Sequence, residues 1–197
     1  MKLIQRHGYI EFLRRNRERS IIKVVSGIRR CGKSTLFRLF KDELLAEGVK
    51  PEQIISINFE ELEYEPLREY HALYQYILNQ MQPNQMNYIF LDEIQHVDQF
   101  HRVVDSLFVK ENTDIYITGS NAYFMSSDIA TLLTGRYVEI QMLPLSFAEF
   151  YYSKYEEQQY SLIPAYEAYL RESSFPYTQQ LGGEDFDIQE YLRGLFN

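Results

Sequence analysis

Residues 20–34 read S-I-I-K-V-V-S-G-I-R-R-C-G-K-S. The β-branched run from Ser20 to Ser26 predicts a buried strand. From Lys33 to Glu47, Leu36, Leu39, Phe40, Leu44 and Leu45 recur at helical spacing, and Gly48 with Pro51 supplies the stop. Between strand and helix, Gly27 and Gly32 bound a tight turn. A turn of this kind wraps backbone N–H groups round a phosphate, and the helix that follows aims its positive end at the same anion. In the pattern G-x-x-x-x-G-K-S, Lys33 is placed to reach the β- and γ-phosphates of ATP, and the Ser34 hydroxyl suits Mg²⁺. The expected nucleotide contacts are Gly27, Ile28, Arg29, Arg30, Cys31, Gly32, Lys33, Ser34 and Thr35. Arg29 and Arg30 occupy optional positions, where they add positive charge near phosphate or pair with carboxylates elsewhere. Cys31 reads as a small filler in preference to a reactive thiol.

Outward from this loop, strands and helices alternate. Residues 9–17 predict a short helix. Strands are expected at Ile54–Phe59, Asn87–Leu91, Asp114–Thr118 and Tyr137–Met142. Helices are expected at Leu67–Met81, Asp98–Lys110 and from Ser126 or Ser127 to Leu133. The alternation implies a mostly parallel five-stranded sheet covered on both faces. Near Pro144 it stops. Ser146 and Glu149 form an S-x-x-E capping box opening a helix over Phe147–Tyr155, and helical pieces follow at Ala165–Arg171 and Ile188–Phe196. The expected organisation is an α/β core over residues 1–145, led by a basic helix at 1–18, and a small helical appendage over 146–197. The last helical pattern runs to the end of the sequence without a stop signal, which points to a truncated chain or a missing C-terminal domain.

The stretch N-Y-I-F-L-D-E at 87–93 is an apolar strand ending in acids, the Walker B pattern. Asp92 is the expected Mg²⁺ ligand, directly or through water, and Glu93 the base that polarises an attacking water. The fourth strand runs into I-T-G-S-N at 117–121, so Ser120 or Asn121 is a candidate sensor of the γ-phosphate. Arg136, just before the fifth strand, is a candidate arginine finger at the nucleotide edge of the sheet, acting from a neighbouring subunit or within its own chain.

Composition narrows the class. Hydrophobic residues make up 45% and charged residues 24% of the 197, as in an ordinary globular protein. No apolar run is long enough to span a bilayer and no signal peptide opens the sequence, so a cytoplasmic protein without a membrane partner is expected. One cysteine excludes an internal disulfide and a Cys-based zinc site. The net charge of −8 conceals an asymmetry: residues 1–41 carry 12 Lys and Arg against 2 Asp and Glu. The basic stretch, with Arg14, Arg15, Arg17 and Arg19, reads mainly as a solvated helix face beside an anion site. No N-K-x-D guanine motif is present, and the acidic segment after Met142 argues against the arginine-rich lid of a small-molecule kinase.

Four stretches resemble a prokaryotic family of AAA-type ATPases related to the archaeal-style and STAND ATPases. They are G-I-R-R-C-G-K-S at 27–34, F-L-D-E-I-Q at 90–95, T-G-S-N-A at 118–122 with L-L-T-G-R-Y at 132–137, and L-P-L-S-F-A-E-F at 143–150. A weaker echo, A-Y-L-R-E-S-S-F-P at 168–176, has Ser173 and Ser174 where that family tends to have glycines. The resemblance implies a P-loop three-layer sandwich and Mg²⁺-dependent binding and hydrolysis of ATP, driving or gating an unknown effector. It further implies a homo-oligomer in a full-length protein with an unknown protein or DNA partner. A STAND-like switch that binds ATP and turns over rarely needs the same motifs.

Overall fold

The computed structural model describes residues 4, 6–120, 133, 135–155, 160–181 and 185–196. The chain divides into two compact units. One comprises residues 8–27 and 33–142, the other residues 1–7, 28–32 and 143–197.

The first unit holds a five-stranded sheet built from β1 (Ile22–Gly27), β2 (Ile54–Asn58), β3 (Asn87–Asp92), β4 (Thr113–Gly119) and β5 (Tyr137–Met142). Its order is β2-β3-β4-β1-β5 and every pairing is parallel. The central strands read as continuous apolar runs because both faces are covered: β1 and β3 are buried at every position. Period-2 alternation sorts their side chains. Val24, Ile57, Ile89, Leu91, Ile115 and Ile117 form one core layer with Leu73 and Ile77 of α3 (Tyr70–Gln80) and Phe100, Val103 and Leu107 of α4 (Phe100–Phe108). On the alternate positions Phe90 and Tyr116 stand in register and stack with ring centroids 4.6 Å apart. Phe37 and Phe40 of α2 (Lys33–Ala46) pack edge-on to Phe90, at 5.2 and 6.3 Å.

That aromatic layer ends in a buried charge. Lys23 and Asp114 are almost wholly excluded from solvent and form an ion pair. The Lys23 ammonium also donates to the Arg19 carbonyl (3.1 Å), while Asp114 accepts from the Glu18 backbone N–H (2.9 Å) and the Tyr116 hydroxyl (2.6 Å). Burial pulls the Lys23 ammonium below its ordinary range, against the attraction of Asp114. Held by these partners, the pair ties the turn before β1 to β4.

One expected helix changes and another gains partners. On the basic helix α1 (His7–Asn16) and just past its end, Arg14 and Arg17 hold carboxylates. Arg14 donates to Glu43 (2.5 and 2.7 Å), and Arg17 pairs with Glu47 and donates to the Tyr88 hydroxyl (3.0 Å). Glu43 lies in the last turn of α2 and Glu47 just beyond its end, about 15 Å or more along the helix from its start at Lys33. The helix expected over Leu67–Met81 is broken, with a 3₁₀ segment at Leu62–Arg68 followed by α3. Glu69 makes the break, because its carboxylate caps the His71 and Ala72 N–H groups at 3.0 and 2.8 Å. The sequence between Ser126 and Leu133 lies outside the described residues apart from Leu133 itself, which is buried.

The second unit contains α5 (Phe147–Tyr155), α6 (Leu162–Glu172) and α7 (Asp185–Phe196). The capping box is present: the Glu149 N–H donates to Ser146 Oγ (3.2 Å) and the Ser146 N–H to the Glu149 carboxylate (2.8 Å). The same carboxylate takes two hydrogen bonds from Arg6, at 2.8 and 3.0 Å. Arg6 in turn donates to the carbonyls of Leu143 (2.6 Å) and Cys31 (3.3 Å). Beyond α6, Ser173 adopts φ 71° and ψ 161°, and the carbonyl of Ser174 accepts from the Leu145 N–H at 2.7 Å. This conformation is close to glycine-only, so a serine holds it at a cost of about 1–3 kcal/mol. Ser173→Gly is expected to stabilise the protein by about 1 kcal/mol, read as a raised denaturant midpoint at unchanged m-value. An unchanged or lowered midpoint would show that the turn carries no such strain.

Candidate nucleotide site

A parallel sheet puts the carboxyl ends of its strands along one edge, and the site lies there. β1 ends at Gly27, β3 at Asp92 and β4 at Gly119. The turn after β1 carries two left-handed residues, Arg30 (φ 65°) and Gly32 (φ 106°). Gly32 meets this requirement without strain. α2 then starts at Lys33, which is buried; its ammonium donates to the Gly27 carbonyl at 3.2 Å and lies 3.1 Å from Glu93 Oε1.

Asp92 is buried at the end of β3 and accepts a hydrogen bond from the Thr118 hydroxyl. Burial pushes its carboxyl above the usual carboxylate range. The Ser34 and Thr118 hydroxyls and the Lys33 charge oppose that rise, and the adjacent Glu93 charge adds to it. Glu93 sits in the left-handed region (φ 55°, ψ 49°). Its N–H donates to Thr118 Oγ1 at 2.9 Å, and its carboxylate accepts from the Gln95 amide at 2.5 Å. Thr118 therefore serves both acids at once, orienting the side chain of one and the backbone of the other.

The expected polar residue beside Walker B is Ser120 or Asn121. Ser120 lies half-buried just past β4, and Asn121 falls outside the described residues. The residue in contact with both acids is Thr118, two positions earlier and fully buried. The missed signal was alternation: on β4, Ile115 and Ile117 face one core layer, so Tyr116 and Thr118 face the other.

Of the remaining loop residues, Ser34 is exposed, Thr35 half-buried and Cys31 buried as a filler. Ile28 is 40% exposed, and the Arg30 guanidinium lies 5.6 Å from the Tyr191 ring centroid of α7. Arg136 is not at the nucleotide edge. Its carbonyl accepts from the Ile22 N–H (2.8 Å) at the start of β1, and β5 pairs in register from Tyr137 onward. That places it at the opposite end of the sheet, roughly 17 Å along β1 from Gly27. Its guanidinium is 2.8 Å from Asp105 of α4 and 5.9 Å from the Phe108 ring centroid. Action within its own chain is thereby removed from the two options.

The donor set suits magnesium. One hydroxyl, Ser34, and one carboxylate, Asp92, match an ion that takes few protein oxygens and completes its shell with phosphate and water. Among the described residues no group of three or more His, Cys, Asp or Glu forms a closed metal cage. Nor, among them, is any helix long and apolar enough to cross a membrane.

Five parallel strands in this order, with a glycine-bounded loop feeding a helix and an acidic pair on a neighbouring strand end, define a P-loop NTPase fold. A family model described as an AAA domain matches residues 19–151, and the chain belongs to that AAA-type P-loop ATPase family. An uncharacterized protein of Haemophilus influenzae is 41% identical over 176 residues, covering 88% of this chain and 44% of that protein. The chain thus spans under half the length of the curated relatives it matches. Among solved structures, the Walker-type ATPase PABY2304 of Pyrococcus abyssi superposes with a TM-score of 0.66 at 18% identity, covering 98% of this chain and 73% of that one. The replication initiator DnaA bound to AMPPCP and single-stranded DNA superposes with a TM-score of 0.60 at 11% identity, covering 92% and 61%. These two likenesses concern the fold.

Thr118→Val removes the hydroxyl shared by Asp92 and Glu93 while keeping the shape. It leaves a buried N–H without its acceptor, and is expected to cost about 1–3 kcal/mol in urea unfolding. A loss below ~0.5 kcal/mol would mean that the hydroxyl does not hold these two acids together.

Proposed function

We propose that this domain binds Mg-ATP through Gly27–Thr35 and hydrolyses it, with Glu93 as general base. The observation that carries the reading is the convergence of Lys33, Ser34, Asp92, Glu93 and Thr118, drawn from three elements, at one end of the sheet. Ser34 and Asp92 would hold Mg²⁺, which neutralises charge on the phosphate oxygens when bound. Lys33 moves from the Glu93 carboxylate to the β- and γ-phosphates as ATP enters. That transfer leaves Glu93 Oε1 free to take a proton from the attacking water.

In the same reading, residues 1–145 are the ATPase core and residues 146–197 a lid-like appendage. A STAND-like switch with slow turnover is favoured by one feature: Lys33 and Gln95 both engage the Glu93 carboxylate, so the base is latched until nucleotide arrives. A DNA partner fits the fold shared with DnaA, but not the arginines of α1 as phosphate ligands, since Arg14 and Arg17 already hold carboxylates.

Two variants test the chemistry. Lys33→Ala should weaken ATP binding at least tenfold by calorimetry without loss of fold. Glu93→Gln should keep ATP binding and lose turnover by ~10²–10⁴-fold. Parallel loss of binding and turnover in Glu93→Gln would make that residue structural.

Arg136 enters this function only from a neighbouring subunit. Turnover should then rise steeply with protein concentration. Mixing Arg136→Ala with Lys33→Ala chains should restore part of the activity, since each supplies what the other lacks. Turnover that is independent of concentration, with a dead mixture, would reduce Arg136 to its pairing with Asp105.

A further inference from the structure

The turn after Glu93 contains a group that the scheme above uses only as a latch. Residues Ile94–His96 form a single 3₁₀ turn, and the left-handed conformation of Glu93 folds that turn back over its own carboxylate. Gln95 is thereby brought face to face with the acid two residues before it, 2.5 Å from Oε2. An ionised carboxylate only accepts hydrogen bonds, so the NH₂ end of the Gln95 amide must point at Glu93. Gln95 Oε1 is buried and has no hydrogen-bond partner among the described residues.

An unpaired buried carbonyl costs about 1–3 kcal/mol, and a leucine or methionine at this position would avoid that cost. The group lies beside the base, and the acceptors around it come in a matched set. Lys33 leaving for phosphate frees Glu93 Oε1 and vacates the room a water needs beside it, while Gln95 Oε1 has no partner to give up among the described residues. A water molecule has two hydrogens to place. Shared between these two oxygens, it can rotate only with the loss of a hydrogen bond, and its lone pair stays directed outward.

We propose that Gln95 is a catalytic residue: its N–H holds the Glu93 carboxylate and its carbonyl oxygen holds the second hydrogen of the attacking water. This rests on the hydrolytic reading of the site. In the step, the water oxygen forms a bond to the γ-phosphorus as the bond from that phosphorus to the β,γ-bridging oxygen breaks. ADP leaves with the electron pair, one water proton passes to Glu93, and the other stays on the phosphate produced. Gln95 exchanges no proton; it fixes orientation, which costs the uncatalysed reaction entropy. Glutamines that orient the attacking water serve other phosphoryl-transfer enzymes in the same way.

The test compares Gln95→Leu with the unmodified protein and with Glu93→Gln, measuring kcat, KM for ATP, AMPPCP affinity and the urea midpoint. The expected result for Gln95→Leu is kcat lowered by ~10²-fold with KM and AMPPCP affinity within about twofold. The urea midpoint should be unchanged or raised, because the substitution removes an unpaired buried carbonyl. A residue that merely supports the fold would give the opposite pattern, a lowered midpoint with binding and kcat falling together, and that result overturns the proposal. Gln95→Met, unbranched and of similar length, carries the same expectations should the leucine variant not fold. Unchanged kcat in either variant, while Glu93→Gln loses turnover, overturns the role of Gln95 and leaves the general base standing. Equal turnover in the unmodified protein and Glu93→Gln overturns the hydrolytic reading itself, and this proposal with it.

Discussion

The strands of this sheet all run in one direction, and the site is a consequence of that constraint. Parallel pairing makes the ends of β1, β3 and β4 neighbours although Gly27, Asp92 and Gly119 are far apart in sequence. Each end delivers one component: the loop with Lys33 and Ser34, the acids Asp92 and Glu93, and the hydroxyl of Thr118. Parallel strands require crossovers, and the crossovers cover both faces with helices. The site is therefore backed by a dry interior. Burial raises the proton affinity of Asp92, and hydroxyls and a cation oppose part of that rise.

The two ends of the sheet handle buried charge differently. At the far end, Lys23 and Asp114 are closed on each other and on backbone groups, with Tyr116 and Glu18 completing the shell. Satisfied in this way, the pair is a fixed joint between β1 and β4. At the nucleotide end the shell is incomplete. Lys33 is paired with Glu93, and Gln95 keeps a buried oxygen without a partner among the described residues. The first network closes on itself, while the second leaves an acceptor unused among the described residues.

In the helical unit, the loop segment 28–32, the N-terminal arm and α5 are joined through Arg6. This guanidinium bridges the Cys31 and Leu143 carbonyls and the Glu149 capping carboxylate. Glu149 thus has two tasks, capping α5 and anchoring Arg6. Although burial works against its charge, the Arg6 and Ser146 hydrogen bonds hold its carboxyl below the ordinary range.

Local chemistry determined much of this in the sequence itself. Strand and helix positions follow from hydrophobic period, the phosphate loop from glycine spacing and the cap of α5 from S-x-x-E, since each of these interactions spans only a few residues. Gly27–Thr35, Asp92 and Glu93 were legible for the same reason. Thr118 was not, because its importance lies in a cross-strand hydrogen bond to β3. The far-end location of Arg136 and the pairing of Arg14 and Arg17 with α2 were equally hidden, since strand order and helix docking are set by burial across the whole sheet. Gln95 was quoted in a motif without a role. Only the left-handed turn at Glu93, held by Thr118 from another strand, brings its amide against the Glu93 carboxylate. The sequence determined which chemistry the chain carries; the tertiary structure decided which atoms of it meet.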